Sequence, residues 1–312
     1  MVMASRARLI AIVALCVMTA SMHAAFASTR IVVVATTSDV ASLASAVGGD
    51  VIEVKTIVPP GTDPEPFEPR VSDLSTLSDA DLIVRVGLGY DLWIDKLIIQ
   101  LHRPEFQAGG GRLVDASIGV PLLEARGRTP VTEDGHAHGL GNPHYWLDPA
   151  NAETVTATIA ERIIRLMPAA RDTIVANRNR FLATLHERIV AWMQRLAPYR
   201  GASLVAYHNS WPYFARRFHL NLVGFIETKE GVAPSVAHLS SLIAEMGQNG
   251  VRAILQEAYE PKNFSEMLSA RTGAPLVVLA PTVGSVPEAR DYLSLMDFNV
   301  GALARTLATG SH

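Results

Sequence analysis

The chain is almost devoid of cysteine, with one among 312 residues, Cys16. That thiol falls inside an N-terminal stretch with the marks of an export leader. Arg6 and Arg8 precede an apolar run from Leu9 to Ala20, broken only by Thr19, and Ala25-Phe26-Ala27 puts small residues where a signal peptidase reads. Removal of residues 1–27 leaves a mature protein with no disulfide and no thiolate for metal binding or nucleophilic chemistry. Leu15 stands before Cys16 where a lipid-attachment signal calls for a small residue, which argues against an anchor there. No later segment reaches the roughly 20 uncharged apolar residues of a membrane-spanning helix, so the expected location is the periplasm, in soluble form. Excess charge is missing too: 27 basic against 30 acidic side chains give a net charge of −3, which leaves no electrostatic footprint for nucleic acid or anionic lipid. There is no HExxH segment or other recognisable catalytic signature.

Apolar residues are plentiful, at 49% of the chain. Ile31-Val32-Val33-Val34 reads as a strand, Asp39 to Val47 as a helix stopped by Gly48-Gly49, and Val51 to Val58 as a second strand closed by Pro59-Pro60-Gly61. Leu74 to Ser78 reads as a short helix leading into the apolar Leu82 to Val86. Continuous apolar strands alternating with helices predict parallel sheets covered on both faces. From Ala152 to about Leu196 the rhythm is purely helical, with apolar residues at Val155, Ile159, Ile163, Leu166, Phe181, Leu185, Ile189 and Trp192. Pro168 predicts a kink or break within it. The first rhythm then returns, with strands expected at 204–206, 222–226, 253–256 and 276–279 and helices at 211–218, 236–249 and 264–272. The expected fold class is therefore α/β: two lobes with parallel sheets flanked by helices, joined by a long connecting helix. The expected division is a signal peptide at 1–27, an N-terminal lobe at 28–149, a helical connector at 150–198 and a C-terminal lobe at 199–312.

Four segments hold nearly all of the informative polar residues, and each is expected where a strand ends, the edge at which open α/β sheets bind ligands. Gly61-Thr-Asp-Pro-Glu-Pro-Phe-Glu-Pro69 presents Glu65 and Glu68 on a proline-stiffened loop. Gly141-Asn-Pro-His-Tyr-Trp-Leu-Asp-Pro149 places His144 among aromatic residues. Val205-Ala-Tyr-His-Asn-Ser-Trp-Pro-Tyr-Phe214 carries His208, and Ala253-Ile-Leu-Gln-Glu-Ala-Tyr-Glu-Pro261 carries Glu257 and Glu260.

Together with Ser72-Asp73-Leu74, Ala80-Asp81-Leu82 and Gly231-Val-Ala-Pro-Ser235, these segments resemble the metal-binding solute receptors of bacterial ABC importers, the zinc, manganese and iron receptors of the zinc-uptake and treponemal types. The resemblance runs over nearly the whole mature chain. It implies a metal held in the inter-lobe cleft by one residue from each of four loops. His144 and His208 match the second and third ligand positions. Glu65 stands where the first ligand is normally a histidine, and the stretch matching the fourth, Leu279-Ala-Pro-Thr-Val-Gly284, has no acid. Glu257 is the expected replacement, with Glu260 and Glu227 as poorer choices.

Two imidazoles and two carboxylates make a mixed nitrogen and oxygen site for a first-row divalent ion, zinc or manganese, with iron(II) as a further candidate. The implied function is capture of that ion in the periplasm, by a monomer and without a reaction, for delivery to an ABC-type metal permease in the inner membrane. Two rival readings remain: an exported metal-dependent hydrolase, or a receptor that has lost metal binding and takes an organic ligand or a metal chelate. The segment Glu133-Asp-Gly-His-Ala-His138 is a short counterpart of the histidine-rich loop of zinc receptors. His102, His186, His219, His238 and His312 receive no role.

Overall fold

The computed structural model describes residues 30–124, 141–229 and 231–309, so the leader with Cys16, the Glu133–His138 segment and His312 lie outside the described residues. Among those described, the first lobe holds β1 (Ile31–Ala35), α1 (Ser38–Gly48), β2 (Ile52–Thr56), α2 (Val71–Ser78), β3 (Leu82–Arg85), α3 (Trp93–Gln100) and β4 (Leu113–Asp115). The second holds β5 (Ser203–Ala206), α6 (Pro212–Phe218), β6 (Asn221–Phe225), α7 (Val236–Gln248), β7 (Ala253–Glu257), α8 (Asn263–Thr272) and β8 (Leu276–Leu279). Each lobe has a four-stranded parallel sheet, in the orders β2-β1-β3-β4 and β6-β5-β7-β8, so the second repeats the topology of the first.

Parallel strands need long crossovers, and the helices in those crossovers cover both sheet faces. That is why the strands are apolar at successive positions rather than at alternate ones. Side chains still alternate between faces. Val33 and Ala35 point into one core while Val34 points into another, and Leu204 and Ala206 likewise part from Val205.

The connector is broken where the proline stands. α4 (Asn151–Leu166) ends at Met167, whose φ of −131° and ψ of 70° leave the helical region, and Pro168 opens a short 3-10 turn before α5 (Arg171–Leu196). At 26 residues, α5 runs for about 39 Å. Both α4 and α5 pack on α1, and α5 also meets the last helix, α9 (Tyr292–Thr309). No local pattern in the sequence announces α3, β4 or α9. β4 has only three residues, and α9 carries Asn299 and Gly301 at buried mid-helix positions, which blurs its apolar stripe.

The largest core does not stop at the lobe boundary. It runs from Val33, Leu43 and Val84 through Trp146 and Leu185 to Leu204, Leu255 and Leu303. Two smaller cores lie on the outer faces of the sheets, around Ile83 and Phe106 in the first lobe and around Ile254 and Leu268 in the second. Wide rotation of one lobe against the other would split the shared core and expose apolar surface, at roughly 25 cal/mol per Å².

Candidate metal centre

Each chemistry-bearing side chain leaves a strand or loop end at the junction of the lobes. The loop after β2 is stiffened before it reaches Glu65. Asp63 Oδ1 accepts the Glu65 backbone N–H at 3.0 Å, Trp93 Nε1 donates to the Pro64 carbonyl at 3.3 Å, and Phe67 packs edge-on against Trp93 with ring centroids 4.9 Å apart. Glu68 stays exposed, whereas the Glu65 side chain is only 7% exposed.

His144 sits just before the 3-10 turn Tyr145–Leu147, between the edges of Tyr90 and Trp146, at ring-centroid distances of 5.4 and 5.3 Å. Asn142 Oδ1 accepts the His144 backbone N–H at 3.0 Å and lies 3.1 Å from His144 Nδ1. An amide oxygen only accepts, so Nδ1 carries the proton and Nε2 is the atom that presents its electron pair. His208 follows β5, and its Nδ1 lies 2.7 Å from Glu227 Oε2. A carboxylate behind one ring nitrogen orients a ligating imidazole and raises its basicity. Glu227 is itself fixed, since its Oε1 accepts the Gly231 N–H at 2.7 Å.

Both Nε2 atoms turn to one carboxylate oxygen. Glu65 Oε1 lies 2.9 Å from His144 Nε2 and 3.5 Å from His208 Nε2. The imidazole centroids are 5.6 Å apart, and one ligand atom from each of Glu65, His144 and His208 falls within 4.8 Å of the others.

Glu257 ends β7 fully buried, with Oε1 accepting from Trp211 Nε1 at 2.7 Å. It stands outside that three-residue group but shares with Glu65 and His208 a cavity of about 10 Å³, also lined by Asp63, Ser210, Tyr259 and Glu260. Glu227, weighed from the sequence as a ligand, instead backs His208. Glu260 lines the cavity, half-buried. The other histidines among the described residues lie elsewhere, with His186 facing Glu153 at 3.5 Å on the surface and His238 Nε2 2.9 Å from the Phe225 carbonyl.

The electrostatics of this cavity favour a cation. Burial pushes Glu257 up to about 7. Burial and then repulsion from Asp63 push Glu260 up to about 7, and burial raises Asp63 to about 6. Burial acts to neutralise His208, yet its contacts with Glu227 and Glu65 hold it well above its usual range. Burial likewise opposes ionisation of Glu65, but hydrogen bonds to His144 and His208 keep it well below the ordinary carboxylate value. The same contacts that hold His208 above its usual range favour positive charge at the point where the three ligand atoms converge.

The stretch that lacks an acid, Leu279–Gly284, meets one from the other lobe. Val283 N–H donates to Asp39 Oδ1 at 2.9 Å, and Ser38 Oγ donates to the Val283 carbonyl at 2.6 Å. Asp39 is fully buried, and burial pushes it up to about 7. Neither Asp39 nor Asn142 is among the expected site residues; the signal for Asn142 is its place in the Asn-Pro-His segment two residues before His144.

Comparison with known proteins follows the same lines. The family model described as "ZnuA: Zinc-uptake complex component A periplasmic" matches residues 33–306. A putative metal-binding protein of Treponema pallidum is 27% identical over 280 residues, covering 88% of this chain and 87% of that protein. The zinc-binding lipoprotein AdcA of Streptococcus pneumoniae is 25% identical over 268 residues, and there the match takes in 83% of this chain but only 52% of the relative's length. A crystal structure of ZnuA superposes with a TM-score of 0.74 at 27% identity, covering 89% of this chain and 99% of that one.

Proposed function

Because the chain belongs to the periplasmic zinc-uptake complex component A family, we propose that it is a solute receptor that captures one divalent transition-metal ion in the periplasm and hands it, as a monomer, to an ABC-type permease of the inner membrane. The observation that carries this reading is the convergence of Glu65 Oε1, His144 Nε2 and His208 Nε2. Each is an electron-pair donor, and they come from segments on both sides of the lobe junction. An ion there replaces imidazole protons and cancels the charge of a cavity rich in carboxylates, which is costly to bury alone.

Glu257 is the fourth ligand in this reading. Its Oε2 is buried without a hydrogen-bond partner among the described residues, and the residue lines the same cavity as Glu65 and His208. Two nitrogens and two oxygens suit zinc at bond lengths of about 2.0–2.2 Å. The added oxygen favours manganese and iron(II) more than a three-imidazole set does.

The cavity supports binding without turnover. A volume of about 10 Å³ suits an ion or a water molecule, which supports capture of a lone ion. Since the main core is shared between lobes, release proceeds by local movement of the ligand loops rather than by wide hinge opening.

Titration of the purified mature chain with zinc and with manganese, alongside elemental analysis, tests the reading. One equivalent of ion should bind, and His144→Ala or His208→Ala should remove it. A chain that takes up neither ion, or that binds as well without both imidazoles, would refute it.

A further inference from the structure

Asn142, which faces His144, and Asn209, which follows His208, meet at a carboxylate that lies outside the ligand set. Glu124 Oε2 accepts Asn142 Nδ2 at 3.1 Å and Asn209 Nδ2 at 3.0 Å. Asn142 is the residue whose Oδ1 faces His144 Nδ1, and Asn209 directly follows His208. The Asn142 amide also donates to the Asn209 carbonyl at 2.9 Å. Tyr213 OH closes the arrangement, accepting the Leu123 N–H and donating to the Asn142 carbonyl, both at 3.0 Å.

Together these bonds decide which way the Asn142 amide points. Its NH₂ group has two acceptors on one side, Glu124 Oε2 and the Asn209 carbonyl. The amide oxygen is therefore left to face His144, and that oxygen selects the tautomer in which Nε2 is the ligand atom. A flipped amide would set a donor against Nδ1 and move the imidazole proton to Nε2, where it would block a metal. The bond to Asn209 meanwhile fixes the backbone beside His208. One exposed carboxylate thus braces both halves of the site.

We propose that Glu124 is a positioning residue for metal retention: a single carboxylate oxygen ties Asn142, which orients His144, to Asn209, which adjoins His208 in the chain, and its loss speeds release of the bound ion. The inference rests on reading Glu65, His144 and His208 as the metal site.

The test uses the mature full-length chain with cobalt(II) as a visible-absorption probe and zinc release to a chelator as the rate measurement. Glu124→Ala should release zinc roughly tenfold faster, the lower end of what supporting residues contribute to metal affinity, and should change the cobalt absorption envelope. Glu124→Gln keeps an oxygen that can accept both asparagine amides, so it should bring the rate back to within about twofold of wild type and restore the spectrum. A merely structural contribution would leave the spectrum unchanged. The proposal is overturned if Glu124→Ala matches wild type in rate and spectrum, or if Glu124→Gln fails to restore them. Cobalt binding that survives His144→Ala would instead overturn the site reading, and the clamp with it.

Discussion

His208 and Glu227 are paired at 2.7 Å through Nδ1 and Oε2, and the other oxygen of that carboxylate is held by the Gly231 N–H. The imidazole is therefore aimed before any ion arrives. Replacing Glu227 by alanine removes the brace and leaves the ring free to rotate. Metal affinity should drop by about 10–100-fold, as read by competition with a chelator of known strength. A drop below threefold would mean that Glu227 does not orient the ligand.

Glu65, the proposed first ligand, turns its Oε1 to both imidazoles. Glu65→Ala should weaken binding of every divalent ion. Glu65→His should retain binding while shifting preference toward zinc over manganese, because a third nitrogen replaces an oxygen. The measurement is the ratio of the two dissociation constants. A ratio that is unchanged in Glu65→His would show that Glu65 contributes charge without touching the ion.

Acid should release the metal. His208 is held above its usual range by Glu227 and Glu65, so protons compete for its ring even near neutrality. Glu65 stays ionised because its shift is downward. His208, and Glu257 with its value raised to about 7, are therefore groups whose protons the ion must displace as pH falls. Affinity should decline by about tenfold per pH unit for each proton the metal displaces. Titrations at pH 7.5 and 5.5 measure it, and equal affinities would place the imidazoles outside the coordination sphere.

Asp39 predicts a separate pH effect on stability. Its folded value of about 7 lies above the ordinary 3.8, so between those values the folded chain binds more protons than the unfolded one. Stability from this group is fully present below about pH 4 and is lost as pH climbs through about 7. Asp39→Asn keeps an oxygen for the Val283 N–H and removes the buried charge. At pH 8 it should stabilise the chain by up to about 4 kcal/mol, and at pH 4 it should make little difference. Thermal unfolding at the two values checks this, and a variant less stable at pH 8 would contradict the burial argument.

Much of the fold was readable because its signals are local. Runs such as Ile31–Val34 and Leu276–Leu279, and the stop at Pro168, report backbone preferences that neighbours only confirm. The short strand Leu113–Asp115 and the last helix, with Asn299 in its buried face, were missed because their stability comes from distant partners. Asn299 is a buried polar residue whose amide both accepts from and donates to the Ala280 backbone, a pairing that no local pattern announces.

The site divides in the same way. A strand end suggested Glu257, and the order of motifs along the chain picked out Glu65, His144 and His208, since residue type and loop position are properties of sequence. That their ligand atoms meet within 4.8 Å, that Glu227 stands behind His208 rather than in front of it, and that Asp39 reaches across to Val283 were decided by how two lobes with a common core come together. Sequence specifies the donors a segment carries. Only packing sets the distances between segments far apart in the chain, and the energy of an ion or a buried charge depends on those distances.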